Sequence, residues 1–376
     1  MIELEVGVYK WPWNERKEMP YRSCFTLLID DYVPWRVLRP EVVLPESLYR
    51  DLNRLFERSG RHCVKYSVCP LAEGVNWVED AAYAAYAEAL LRAQSLGISL
   101  GLEGLTHYYV YDAGRQGLTN LPELDFFNTA SEEQIWAYMK TGVEILARKG
   151  LRLSGFTSPF FCGDQREAYK AFNRLGWVWS FNTHGAMQGN DPVLRYGAVS
   201  NVPSYENSSD LFGGGGAPPA TEVRADMAKA YVDAASPNGE MCALYTHFQG
   251  IHFSNSLEAI EEVFAYVETK EEVWMASPEE IGNFWAAKEA LRRGLSVMHD
   301  HEKDQLHIRG YYTPTKANVA VWVVPPQGYR VAKARLYHGS KEAHEPKLVK
   351  KPNWTVILAE TEQRRSMNII AQLQRT

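Results

Sequence analysis

No stretch of this 376-residue chain is long and apolar enough to span a membrane, and no run of lysine and arginine is dense enough to form a nucleic-acid surface. The opening residues, Met1-Ile2-Glu3-Leu4-Glu5, lack the basic end and apolar core of a secretory leader, so a cytoplasmic location is expected. Cysteine is sparse: Cys24, Cys63, Cys69, Cys162 and Cys242 are scattered and odd in number. That argues for reduced thiols and against a disulfide framework, and no pair has zinc-ribbon spacing. Glycine does cluster at Gly213-Gly214-Gly215-Gly216, but no Lys-Ser or Lys-Thr follows, so the run is no phosphate-binding loop. Internal repeats and low-complexity linkers are missing as well. Nucleic acid and membrane therefore drop out as partners.

What is present is a well-filled globular composition. Hydrophobic residues make up 45% of the chain, enough for a large core, and the net charge is −6. Aromatic residues reach 12%, so some of the 11 Trp and 21 Tyr could line a groove for sugar rings, although packing is the ordinary fate of any one.

The chain is organised around Phe25-Thr26-Leu27-Leu28-Ile29-Asp30-Asp31-Tyr32, a buried-strand pattern that runs into two adjacent carboxylates. Further strands are expected at 63–69, 97–102, 151–156, 176–182, 195–203, 241–246 and 272–275. Helices are expected between them, including 45–59, 80–94, 131–149, 164–175, 221–235, 256–270 and 277–293. Strand and helix in alternation imply a mainly parallel sheet with helices outside. The fold class is α/β: a (β/α) barrel of seven or so strands, complete or lacking one, with a small C-terminal all-β module. Residues 1–22 read as an irregular aromatic lead-in packed on the barrel, and 108–130 as a long loop of functional type. After about residue 300 the period switches to alternating runs broken by Pro, Gly, Asn and Lys, which read as a small β-sandwich. The expected domains are 1–298 and 299–376.

Chemistry in a parallel barrel collects where strands end. Four expected strand ends carry reactive residues: Asp30-Asp31, Glu103 with His107, Thr157-Ser158-Pro159, and His247. Asp31, Glu103 and His107 form an O, O and N set suited to a divalent ion such as Zn²⁺. The bland alternative is a capped loop with a surface histidine.

These segments resemble a family. The Asp-Asp strand, Gly101-Leu-Glu-Gly-Leu-Thr-His107, Gly155-Phe-Thr-Ser-Pro159 and Tyr245-Thr-His247 are similar, in order and spacing, to the motifs of polysaccharide deacetylases, the NodB-like carbohydrate esterases. The resemblance covers about residues 24–290, with Ser277-Pro-Glu-Glu-Ile281 as the closing element. It implies a barrel hydrolase that removes an N-acyl group from a sugar or similar N-acylated substrate. It further implies Asp30 as general base, His247 as catalytic acid, and a metal, zinc first, on Asp31, Glu103 and His107. Three positions depart from the family pattern. Tyr32 stands where Gly is expected after Asp-Asp, Glu103 stands where the first metal histidine is expected, and Thr157 stands where an Arg orients the base. Trp35, Tyr108, Tyr109, Trp179 and Phe248 are candidate sugar platforms, core packing being the better reading for Trp179, with His184 and His252 as reserve histidines; the loops 108–130 and 204–220 would frame the groove. Two other readings use the same residues: a barrel glycosidase with Asp30 or Asp31 paired to Glu103, and a catalytically decayed glycan-binding barrel.

Overall fold

The computed structural model describes residues 4–38, 44–59, 63–159, 162–183, 185–205, 211 and 221–376. The chain divides into two compact units, Ser23–Gly282 and Met1–Arg22 with Asn283–Thr376.

The first unit is built on a sheet ordered Val193–Tyr196, Val199–Asn201, Trp179–Phe181, Gly155–Thr157, Ser99–Leu102, Val64–Val68, Ser23–Tyr32, Met241–His247, with Val273–Met275 also paired to Ser23–Phe25. All neighbours run parallel except Val193–Tyr196, which returns antiparallel on Val199–Asn201. Among the described residues the two edge strands do not pair with each other, so this is the incomplete (β/α) barrel. The stretch expected as one strand at 195–203 is thus two, broken by a turn at Gly197, whose φ of +56° suits glycine.

Alternation along each strand sorts the side chains. Leu27, Ile29, Val64, Tyr66, Val68, Leu100, Leu102 and Phe156 join the core beneath the surrounding helices. The alternate positions, Asp30, Lys65, Ser67, Gly101, Gly155, Thr157, Trp179 and Tyr245, belong to the inner face. Trp179 is completely buried there and donates its indole N–H to Ser154 Oγ at 2.9 Å. Its ring lies so close over Gly101 and Gly155 that a Cβ on either would overlap it. The two glycines therefore make room for the indole.

The region 108–130 is not an open loop. Tyr109–Asp112 and Gly117–Pro122 form an antiparallel hairpin, followed by the helix Glu123–Thr129. The turn is closed by Asp112 Oδ1, which accepts from Gly114 N at 2.9 Å and Arg115 N at 3.2 Å. This aspartate-led turn is the signal that marks a hairpin in the sequence.

In the second unit two antiparallel sheets appear. One has Glu5–Val8, Asn318–Val324, Thr355–Glu360 and Lys347–Lys350; the other has Ser296–Asp300, Gln305–Thr313, Arg365–Arg375, Tyr329–His338 and Lys341–His344. The N-terminal stretch is thus no lead-in to the barrel: Glu5–Val8 pairs with Val321–Val324. Its short alternation was hidden by the aromatic and proline residues that follow. Among the described residues, no helix is long and apolar enough to cross a membrane.

Gly155→Ala should push the new methyl into Trp179 and lower stability by about 1–3 kcal/mol, the scale of core overpacking. A urea titration would show this as a lower midpoint at unchanged slope, whereas a wild-type midpoint would contradict this packing.

Candidate metal centre and the groups around it

Adjacent residues on a strand normally point to opposite faces. Asp30 and Asp31 escape this because the strand bulges there. Ile29 pairs with Tyr66 and Tyr32 with Val68, so three steps on this strand match two on its neighbour. Asp31 takes up the extra residue with a φ of +64°. Tyr32, at the position where the resemblance expects glycine, is fully buried and donates its hydroxyl to Tyr86 O at 2.7 Å. Its ring packs against Tyr49, Tyr66, Trp77 and Phe248. The departure is absorbed by an aromatic cluster.

Asp31, Glu103 and His107 converge. One ligand atom from each lies within 4.8 Å of the others. His107 Nε2 is 3.0 Å from Asp31 Oδ1 and 3.7 Å from Glu103 Oε1. The Asp31 amide donates to Glu103 Oε2 at 2.9 Å. Burial, then the neighbouring carboxylates of Asp31 and Asp30, push Glu103 well above the usual carboxylate range. Burial also works to raise Asp31, but the positive character of His107, with lesser help from His247 and Gln249, holds its carboxyl well below the usual range. Burial would lower His107; the Asp31 carboxylate more than offsets that, and the net direction is up. The cluster thus draws in positive charge.

That is the condition a divalent cation satisfies. Two ligands of a tetrahedral zinc, each about 2.0–2.1 Å from it, lie roughly 3.3–3.4 Å apart. The 3.0 and 3.7 Å separations at His107 Nε2 bracket that value. Two carboxylates and one imidazole fit zinc, and with more oxygen than nitrogen they also suit manganese or iron. Cys69 is not part of the set: its Sγ donates to Glu103 O at 3.1 Å, and burial pushes its thiol well up.

Glu123 was not foreseen. It is fully buried, and its Oε1 accepts from Leu105 N at 2.7 Å, Thr106 N at 3.1 Å and the Tyr138 hydroxyl at 2.6 Å, while Oε2 accepts from His107 N at 3.1 Å. Gly104, at φ +61°, passes so close to this carboxylate that a side chain there would overlap it. Glu123 therefore shapes the turn that delivers His107, itself at φ +80°.

Asp30 has a different environment. Its Oδ1 accepts from Lys65 Nζ and, at 2.5 Å, from Ser67 Oγ. Lys65 is wholly buried and also donates to Thr157 Oγ1 at 2.7 Å. Ser67 Oγ lies 2.7 Å from the same Thr157 oxygen. The resemblance placed a missing charge at Thr157; a cation is present nonetheless, Lys65 on the strand next to that of Asp30. His247 ends its strand in register with Asp30, and its Nε2 lies 2.8 Å from the Tyr245 hydroxyl. Its charge acts on both Asp31 and His107.

Of the expected sugar platforms, Tyr109 is exposed at 45% and Tyr108 is half-buried, with its ring centroid 4.6 Å from that of His107. Phe248 and Trp35 are corrections. Phe248 is fully buried against Tyr49 and Tyr66, and Trp35 is 6% exposed, so neither offers a ring face to a ligand. Trp179 is core. His252 sits half-buried beside Phe253 on the helix Phe248–Phe253. His184 and nearly all of 204–220 lie outside the described residues.

Glu123→Ala would strand buried donors on the His107 turn. A loss of about 3 kcal/mol is expected from unsatisfied buried amides, together with weaker metal uptake. Unchanged melting and metal content would show that the turn holds itself.

No protein-family model matches this chain, and no curated protein does. Solved structures do match. A protein assigned as a polysaccharide deacetylase from Mycobacterium smegmatis aligns with a TM-score of 0.55 at 14% identity, covering 75% of this chain and 94% of its own. One of the same assignment from Pseudomonas aeruginosa PAO1 gives 0.49 at 16% identity, over 74% of this chain and 98% of its own. A glycoside hydrolase family 57 branching enzyme from Thermococcus kodakaraensis gives 0.41 at 11% identity, over 68% and 70%. The first likeness is one of fold alone: this chain's barrel is similar to that of the Mycobacterium smegmatis protein.

Proposed function

We propose, from a polysaccharide-deacetylase fold, that the chain is a metal-dependent hydrolase that removes an N-acyl group, acetyl being the simplest, from a sugar or polysaccharide. The observation that carries this reading is the convergence of Asp31, Glu103 and His107 beside the Asp30–Lys65 pair. Asp31, Glu103 and His107 would hold the ion. When bound, the ion supplies a Lewis acid that lowers the pKa of water and polarises the acyl carbonyl. The residues of the chain do the rest. Asp30, held through Oδ1 by Lys65 and Ser67, takes a proton from the attacking water. The water oxygen bonds to the acyl carbon and the carbon–nitrogen bond breaks. The leaving nitrogen takes its proton from His247, whose ring is fixed by Tyr245. The products are a carboxylic acid and a free amine, so the proton count balances. Tyr108 and Tyr109, beside His107, present ring faces for a sugar.

The glycosidase alternative gains nothing from this geometry. Asp31 and Glu103 both turn toward His107 Nε2, whereas paired glycosidase carboxylates must flank a sugar bond.

Acetate release from N-acetylated oligosaccharides tests the proposal. His247→Ala should keep its metal and lose roughly a hundredfold or more in turnover, the scale of a general acid or base. Asp31→Ala should lose metal and activity together. Equal turnover by wild type and His247→Ala would remove His247 from the mechanism.

A pH dependence also follows. Glu103 and His107 are both displaced upward, so protons compete with the ion at these ligands as pH falls. Metal affinity measured by competition with a chelator should rise as pH climbs above about 6.5, the ordinary imidazole value from which His107 is displaced upward. A flat profile would contradict the ligand set.

A further inference from the structure

Among the inner-face residues named above Lys65 is the one cation, and the proposed ligand set does not call for it. It lies at 0% exposure on Val64–Val68, one strand from Asp30, with its ammonium engaged by Asp30, Ser67 and Thr157 and 4.9 Å from the Phe181 ring centroid. Burying an ammonium costs several kcal/mol even when it is paired. Apolar residues of similar volume would fill this space more stably, as the neighbouring Trp179 and Phe181 do.

We propose that Lys65 is a positioning residue for the reaction: its ammonium, seated on Ser67 and Thr157, aims the Asp30 carboxylate from below. This rests on the hydrolase reading given above. The geometry supports it in two ways. Both bonds made by Lys65 and Ser67 fall on Asp30 Oδ1, and neither uses Oδ2, so one oxygen is committed to orientation and the other is left out of that clamp. Thr157 and Ser67 are bonded to the ammonium and to each other, so the cation has one seat. A cation with a purely structural role needs no such fixed direction with respect to Asp30.

The test is a pair of variants assayed for kcat, KM and metal content per folded protein. Lys65→Met keeps the volume and removes the charge. It should retain metal and KM and lose kcat by roughly a hundredfold, the loss expected when a general base is disabled. Lys65→Met/Thr157→Arg returns a cation from the opposite wall of the same seat, only 2.7 Å away. It should recover at least about tenfold of the lost kcat, because the base is again paired and aimed. The double variant also restores a partner for the buried Asp30, so it remains informative if Lys65→Met does not fold. A purely structural lysine would move melting temperature alone, so Lys65→Met with wild-type kcat overturns the proposal. So does a folded, metal-loaded double variant without turnover. If wild type releases no acid from any N-acylated glycan while binding its metal, the hydrolase reading falls and this inference falls with it, an outcome distinct from the loss of Lys65 alone.

Discussion

Three carboxylates, those of Asp30, Asp31 and Glu103, are buried side by side at the ends of two strands. Like charges taken out of water cannot all persist without compensation. Most of the site follows from how that compensation is arranged. Lys65 answers Asp30 with a fixed cation. His107 answers Asp31 and is drawn toward its protonated form. Glu103 shares His107, 3.7 Å away, with Asp31, accepts from the Asp31 amide, and feels Lys65 only at a greater distance. A divalent ion between Asp31, Glu103 and His107 would complete the balance and favour the ionised form of Glu103. Glu103 would then be the residue most dependent on the ion.

The barrel interior is layered to support this. Trp179 lies deep on the inner face, over Gly101 and Gly155. Lys65, Ser67 and Thr157 form a polar layer with Phe181 beside the ammonium, and Asp30 rests on that layer. The proposed ligands come last, with Asp31 and His107 on backbone forced out of regular strand geometry. The bulge at Asp31 and the left-handed turn at His107 are held by packing and hydrogen bonds from Tyr32 and Glu123. Strained backbone of this kind persists where surrounding structure over-determines it.

Much of this could be read in the sequence, because parallel strands carry their chemistry at their ends. The Asp-Asp strand, the Glu103-to-His107 spacing and the late His247 all gave their positions away. Lys65 did not, although the signal was present. Val64-Lys65-Tyr66-Ser67-Val68 alternates apolar and polar residues, which is unusual for a strand covered on both faces. In a barrel, that alternation means a polar interior. Glu123 was hidden because its role is to satisfy backbone amides some sixteen residues earlier, a pairing no local pattern reveals. The aromatic residues misled in the other direction: Phe248 and Trp35 fill the core, where most large rings go.

The central claim is that one divalent ion sits between Asp31, Glu103 and His107. Crystals grown with zinc and measured on both sides of its absorption edge test this most directly. The account predicts a single strong edge-dependent peak within about 2.0–2.2 Å of a His107 nitrogen and of one oxygen each from Asp31 and Glu103. An empty cluster at saturating zinc, or a peak elsewhere with these side chains unmoved, would contradict it.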